Sequence, residues 1–521
     1  MLATSVARGP LAVTTAGCYV ARMARNLSCA VLLLAVLALA VALPGAGLAQ
    51  KPETGPALSG SAPPPEAPPA PAAPAPEVPR APEPQAPPVA APPPPDRLKV
   101  FVLTFSPGDH PFYKFGHNAI WIHDEGTKNP INRDKVYNYG MFSFGDPKLI
   151  PKFVLGRFMY WLDSDPYAQT VRVYKHENRA IESQELDLAP EQERELARLL
   201  EENAKPENRY YKYDYYRDNC STRVRDMIDS VTGGRLRAAA AAPARLTYRQ
   251  QTLRLTESLP AEYVALNFAM GNAIDQPVTK WEEAFIPMEL QETMRHVTLV
   301  DANGVERPLV KDEKLLLPSQ QTPPPKDPPV WWHYSLLVGL ALGGVFALLG
   351  RAGVKDKRAR AAFGMLVSVF GLFWGFFGLF FLFVWFFTDH QVGYHNENVM
   401  LSVPWSIVLV GSGINVARSR VPSIKRAHFL IKAALISSLI ALVLKVLPWF
   451  DQANGFFLVF FIPFWAGVFF GINELKQALF VARPPVEVAL VAEAASGSKP
   501  KAKKAAAKPA TPPPPADREA D

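Results

Sequence analysis

Beyond residue 332 the chain carries five apolar runs, 335–349, 362–387, 401–416, 429–447 and 456–472, which an ordinary water-soluble body could not cover. A bilayer core of about 30 Å takes roughly 20 residues of helix, and the runs lie near or at that length. The third contains Pro404 and is the weakest. Arg351, Lys355, Lys357, Arg358 and Arg360 follow the first run, and Arg418, Arg420, Lys425 and Arg426 follow the third, whereas 388–400 and 448–455 contain no Lys or Arg. Basic loops stay on the cytoplasmic side. The pattern predicts an all-α five-helix transmembrane bundle over 332–475, with everything before it outside and a tail rich in Ala, Lys and Pro (476–521) inside. Much of the excess behind the net charge of +7 sits in these loops and the tail. The basicity therefore reports membrane topology and excludes nucleic acid as the expected partner.

From Met23 onward a basic start, an apolar stretch over 30–43 and the small-residue exit Gly47-Leu48-Ala49 read as a secretory signal over 1–49. Met23 is a second candidate start, and an uncleaved anchor is the alternative to cleavage. Residues 50–97 are dominated by Pro and Ala and form an extended tether. A soluble domain is expected over 98–317, followed by a proline-rich linker over 318–331. Of the three cysteines, Cys18 and Cys29 precede or open the apolar part of the signal, so the mature chain keeps Cys220 alone. Exported structural cysteines normally pair. An unpaired one is either an inert buried thiol or a reactive one.

Within the soluble domain, "LKVFVLTF", "HNAIWIHD" and "KVYNYGMF" read as strands, and helical periodicity follows from Pro190 to Asn203 and again after Asn219. In "YYRDNCSTRVRDMIDSVTGG", Asn219 or Asp218 suits an N-cap, which places Cys220 in the first turn. There the positive end of the helix dipole favours thiolate. His117, in "KFGHNAIWI", enters a strand behind a glycine. A base on a strand beside a cysteine at a helix N-terminus is a thiol-enzyme arrangement, and Asn138 on the next strand is the candidate to orient the imidazole, with Tyr137 and Tyr139 on the opposite face. His110, His123 and His176 are less well placed. Asp275, Trp281 and Phe285 are expected to fix the packing of the soluble domain against the membrane part.

The segments "FGHNAIWI", "NYGMFSFGD", "YDYYRDNCSTRVRD", "GNAIDQPVTKWEEAFIPMEL" and "TDHQVGYHNENVMLSVP" together resemble the bacterial thiol-type lipoprotein N-acyltransferase (Lnb) family. More remotely, the order of His before Cys is similar to the permuted papain-like fold of the lecithin:retinol acyltransferase and NlpC/P60 superfamily. The resemblance implies an α+β permuted papain-like periplasmic domain at the inner membrane. It implies acyl transfer from a membrane phospholipid, through a Cys220 thioester, to the N-terminal amine of diacylglyceryl lipoproteins, without metal or soluble cofactor. A wall peptidase or amidase of the NlpC/P60 type, a phospholipase and a non-enzymatic envelope scaffold remain open. His390, His395, Asn396 and Asn398 are candidates to meet the donor headgroup or to help the catalytic domain dock, with a solvated loop as the bland alternative.

In a Cys220→Ser background, a single cysteine at position 356 is expected to resist labelling from the periplasmic side, whereas one within 388–400 is expected to react. Periplasmic labelling at 356 would overturn the assigned orientation.

Overall fold

The computed structural model describes residues 98–143, 148–300 and 303–481. The expected signal peptide, the tether and the tail beyond Val481 lie outside the described residues. Strands β1 (Leu98–Phe105), β2 (His117–Asp124), β3 (Asp134–Met141), β4 (Met159–Pro166), β5 (Ile181–Leu186), β6 (Tyr210–Lys212) and β9 (Val310–Leu317) make one antiparallel sheet in the order β6-β4-β3-β2-β1-β5-β9. A separate ribbon pairs β7 (Thr298–Val300) with β8 (Glu306–Pro308).

The two-residue strand period sorts β1 between two cores. Val100 and Val102 face helices α3 (Pro190–Ala204) and α4 (Cys220–Val231) through Leu196, Leu200, Val224 and Ile228, while Leu103 and Phe105 face α2 (Tyr167–His176). The sheet thus carries helices on both faces, and α4 points its first turn at the end of the sheet where β2 begins. A short helix, α1 (Leu149–Val154), precedes β4, and α5 (Tyr248–Leu255) and α6 (Pro260–Ala269) lead toward the bundle. Its membrane-sized helices are α7 (Trp332–Ala352), α8 (Lys357–Phe387), α10 (Val421–Leu444) and α11 (Gly455–Val481), the four described helices long and apolar enough to cross.

The third apolar run departs from the five-helix expectation. It forms a five-residue 3-10 turn, Pro404–Val408, and the nine-residue helix α9 (Leu409–Ala417). At the usual rises these cover roughly 23 Å, short of a bilayer core of about 30 Å. Pro404 stands in the first turn, where its missing N–H costs nothing. The run lies against α8 so closely that a Cβ on Gly378 would stand 2.1 Å from the Ser402 carbonyl oxygen. Arg360 donates to Ser419 Oγ at 2.7 Å, bringing the two basic loops to one end of the bundle. At the other end Asn454 donates to Asn398 Oδ1 at 3.1 Å and Lys445 pairs with Glu397.

The soluble domain enters that second end through the close of α6. Phe268, 7% exposed, stands between the rings of Phe381 and Phe457, at 4.9 and 4.7 Å. Its carbonyl accepts from Asn396 and Asn398 at 2.8 and 3.0 Å, and the Met270 carbonyl accepts from Gln452 at 3.0 Å. Arg249, held by the Asp275 carboxylate at 2.6 Å, donates to the carbonyls of Asn267, Met270 and Gly271. Asp275 also accepts from the Ala453 amide at 3.1 Å, so it does sit at the joint. Trp281 and Phe285 do not: Trp281 lies under Arg225 and Arg237, and Phe285 packs on Tyr216 and Tyr248, all within the soluble domain.

Phe268→Ala removes a buried ring of the kind whose loss costs about 3–5 kcal/mol. In detergent-solubilised protein the thermal transitions of the soluble domain and the bundle are expected to separate, with the first moving down. A single unshifted transition would show that the ring does not couple them.

Candidate active site

Cys220 is the first residue of α4, and Asn219 is its cap. The Asn219 side chain accepts from the amides of Ser221 and Thr222, both at 2.9 Å, and the Thr222 hydroxyl accepts from the Asn219 amide at 2.8 Å. This capping box fixes the first turn. Two contacts tie the turn to the start of β2. Ser221 Oγ donates to Asn118 Oδ1 at 2.8 Å, and the backbone N–H of Asn118 favours the anion of Cys220. Asn118 is fully buried and anchors in β1 through Thr104 Oγ1 at 2.9 Å. The cysteine is thereby held one residue along the strand from His117. Gly140 completes the approach: its φ of +88° suits a residue without Cβ, and a Cβ there would stand 3.4 Å from that of Cys220.

His117 Nε2 lies 3.2 Å from Asn138 Oδ1. An amide oxygen only accepts, so Nε2 carries the proton and Nδ1 keeps its lone pair. Asn138 faces His117, while Tyr137 and Tyr139 pack with α3 and α4 on the other face. The imidazole stacks on Phe105 at 5.6 Å. His123, at the far end of β2, is bound to Asp134 at 2.6 Å.

Burial, reinforced by the charge of Arg179, lowers the His117 pKa to about 4, against the opposing effect of the Asn138 hydrogen bond. Burial also pushes the Cys220 thiol above its ordinary range; the amides of Asn118, Ser221 and Cys220, and Arg179, pull it down but do not win. The first-turn position thus stabilises the anion, as the sequence suggests, without producing a resting thiolate. At neutral pH the pair is thiol and neutral imidazole.

Several residues of this site carry no signal in a sequence reading centred on Cys and His. Arg179 is 3% exposed, donates to the Ser106 carbonyl at 2.8 Å and lies over Tyr174 at 4.6 Å; its Nη2 has no partner among the described residues. The Tyr211 hydroxyl is also buried without a partner there, and it would lie 3.9 Å from a Cβ on Gly140. Tyr160, Tyr211 and Tyr213 feel the charge of an ionised Cys220. The alternation of tyrosines at 211, 213 and 215 just before the cysteine is the sequence signal that could have revealed this wall.

Tyr160 and Tyr213, stacked at 4.0 Å, also line a cleft of about 720 Å3 including its open mouth, bounded by Phe153, Phe158, Lys212, Tyr215, Asp389 and His390. Of the polar residues expected to meet a headgroup, His390 belongs to this cleft and donates through Nε2 to the Phe153 carbonyl at 2.7 Å. His395, at a φ of +52°, packs edge-on against Trp385 at 4.8 Å. Asn396 and Asn398 are buried and engaged with the Phe268 carbonyl. The structure therefore brings Cys220, His117 and Asn138 to one end of the sheet and leaves the four loop residues divided.

The folded imidazole holds a proton only below about pH 4 and the unfolded one below about 6.5. Between these values the unfolded chain binds more protons, so the site's contribution to stability is complete above pH 6.5 and is lost as pH falls through 4. Nuclear magnetic resonance of labelled histidine is expected to show His117 titrating near pH 4. Alkylation of Cys220 by iodoacetamide, followed on its peptide, is expected to rise with a midpoint above the ordinary thiol value of about 8.5. Rapid alkylation at pH 6 together with a persistent imidazolium would instead establish an ion pair.

No curated protein and no solved structure matches the chain. Residues 91–255, which span His117, Asn138 and Cys220, match the family model of the Lnb N-terminal periplasmic domain. With four apolar helices of spanning length behind that domain, the reading is of an inner-membrane protein with a periplasmic domain and a role in lipoprotein processing. The match shows a likeness to the Lnb family over residues 91–255, which lie mostly within the soluble domain.

Proposed function

We propose that the protein is a thiol-dependent lipoprotein N-acyltransferase that uses Cys220 as nucleophile, His117 as base and acid, and Asn138 to orient the imidazole. The observation that carries the reading is a capped-helix cysteine and an oriented neutral imidazole at one end of the sheet, behind an aromatic cleft beside the outer end of α8. The order of His before Cys, with the cysteine opening a helix, supports a permuted papain-like frame.

In the first half-reaction His117 Nδ1 takes the thiol proton as the sulphur attacks an ester carbonyl of a membrane phospholipid. The carbon–oxygen bond then breaks, and His117 returns the proton to the departing lysolipid alkoxide. A thioester remains on Cys220. In the second, the N-terminal amine of a diacylglyceryl lipoprotein attacks the thioester, His117 accepts its proton, and the sulphur leaves and is reprotonated. The sum is one ester and one amine converted to one amide and one alcohol. The unspent Tyr211 hydroxyl is the proposed donor to the tetrahedral oxyanion. His390 borders the donor's route, whereas His395, Asn396 and Asn398 are not assigned to it.

Reconstituted protein given phospholipid but no amine is expected to gain a fatty-acyl mass on Cys220 that neutral hydroxylamine removes. A diacylglyceryl lipopeptide should discharge it onto the peptide amine. Cys220→Ala should form none, and His117→Ala should form and discharge it more slowly by at least about 100-fold, the lower range for a general acid–base. Discharge to water alone would indicate a phospholipase, and acylation by wall peptides a peptidase. Absence of any fatty-acyl increment under every phospholipid would overturn the reading.

A further inference from the structure

The cleft carries charges that the chemistry above does not use. Lys212 reaches the Asp389 carboxylate at 2.8 Å and Arg157 reaches it at 3.3 Å. Asp214, also on the wall, spends one oxygen on the amides of Tyr216 and Arg217, and the Arg217 side chain donates to Gln391 at 2.9 Å. The Asp389 carboxylate thus faces two cations, which leaves the group of Lys212, Arg157 and Asp389 with one positive charge in excess. Asp389 stands two residues past the end of α8, and its amide donates to the Leu155 carbonyl at 2.8 Å, which fixes the charged group at the outer end of the bundle beside α1.

The surface around this group is apolar and exposed. Ile150, Phe153 and Val154 of α1 are 73%, 45% and 41% exposed, and Phe386 and Phe387 close α8 at 66% each. Exposed aromatic and aliphatic side chains at the end of a spanning helix belong to the membrane interface. The cleft mouth therefore opens at headgroup level, with its inner wall of Tyr160 and Tyr213 within electrostatic reach of Cys220.

Resting on the acyl-transfer reading, we infer that Lys212 and Arg157 form a subsite for the phosphodiester of a glycerophospholipid entering sideways from the outer leaflet of the bilayer. The one positive charge in excess in the group of Lys212, Arg157 and Asp389 matches the single negative charge of the phosphodiester, Asp389 bridges the two cations in its absence, and α1 is the apolar lip past which the acyl chains enter.

The test measures acylation of Cys220 in nanodiscs by a phospholipid, by diacylglycerol, which has the ester without the phosphate, and by a water-soluble p-nitrophenyl ester. Wild type is expected to prefer the phospholipid to diacylglycerol. In Lys212→Glu/Arg157→Glu the ratio of phospholipid to nitrophenyl-ester rates should fall at least tenfold, and the preference over diacylglycerol should vanish. Asp389→Asn breaks the same ion pairs but adds net positive charge, so the ratio should rise. Were the pairs only a fastening between domains, Asp389→Asn would instead lower it together with the double variant, and the subsite would be overturned. An undiminished ratio in the double variant overturns it as well. Wild type that takes the nitrophenyl acyl group but none from any phospholipid overturns the acyl-transfer reading itself.

Discussion

The carbonyls of residues 267–271 end a helix in surroundings where water cannot serve them. Each buried carbonyl left without a donor costs about 1–3 kcal/mol. Here they are served from both sides: Arg249, clamped by Asp275, supplies one set of donors from the soluble domain, and Asn396, Asn398 and Gln452 supply the other from the bundle. Of the two roles that the composition of this polar loop suggests, headgroup recognition and docking of the soluble domain, its amides serve the second. They are the means by which irregular backbone is tolerated at the edge of the membrane, since such backbone survives there only when protein satisfies it. The position of the cleft beside the end of α8, and the register of Cys220 relative to the bundle, follow from this joint.

Cys220 and His117 illustrate a balance between two effects of a folded interior. A helix N-terminus and converging amides favour a thiolate, while removal from water favours the neutral thiol. At Cys220 the second dominates, and the same burial strips His117 of its proton. A neutral imidazole with its Nε2 proton engaged by Asn138 keeps a free lone pair on Nδ1, so on the proposed chemistry ionisation of the thiol would be deferred to the moment of attack. That arrangement suits a reagent facing apolar chains, where a standing ion pair would be costly.

Much of this frame was legible in the sequence because local signals and tertiary contacts agreed. The alternation of "LKVFVLTF" and "HNAIWIHD" matches two cores packed on the two faces of one sheet, and the Asn219 cap is a local feature that needs no partner elsewhere. The strands β4, β5 and β9 were not legible: "MYWLDSDP" ends in acid and proline, and "VKDEKLLL" is an edge strand whose outward charges mask its pairing. The third apolar run has the composition of a span, but Pro404 and the close approach along α8 turn it into a shorter, partly 3-10 segment. Arg179 is the clearest loss, because its place comes from the sequence-distant Ser106 carbonyl it binds, from which its charge reaches His117, and nothing around position 179 announces that.

The fastening of Phe268 among the bundle's rings has one more implication. With the domain pinned to the helices rather than swinging on a leash, the height of the sulphur above the hydrocarbon is a constant of the molecule. On the proposed acyl-transfer reading, the donor would then arrive by diffusion in two dimensions, and the quantity governing turnover would be its mole fraction in the leaflet rather than its amount per volume of buffer. Dilution of a vesicle suspension would leave the rate per enzyme unchanged, while dilution of the donor within its own membrane would slow it.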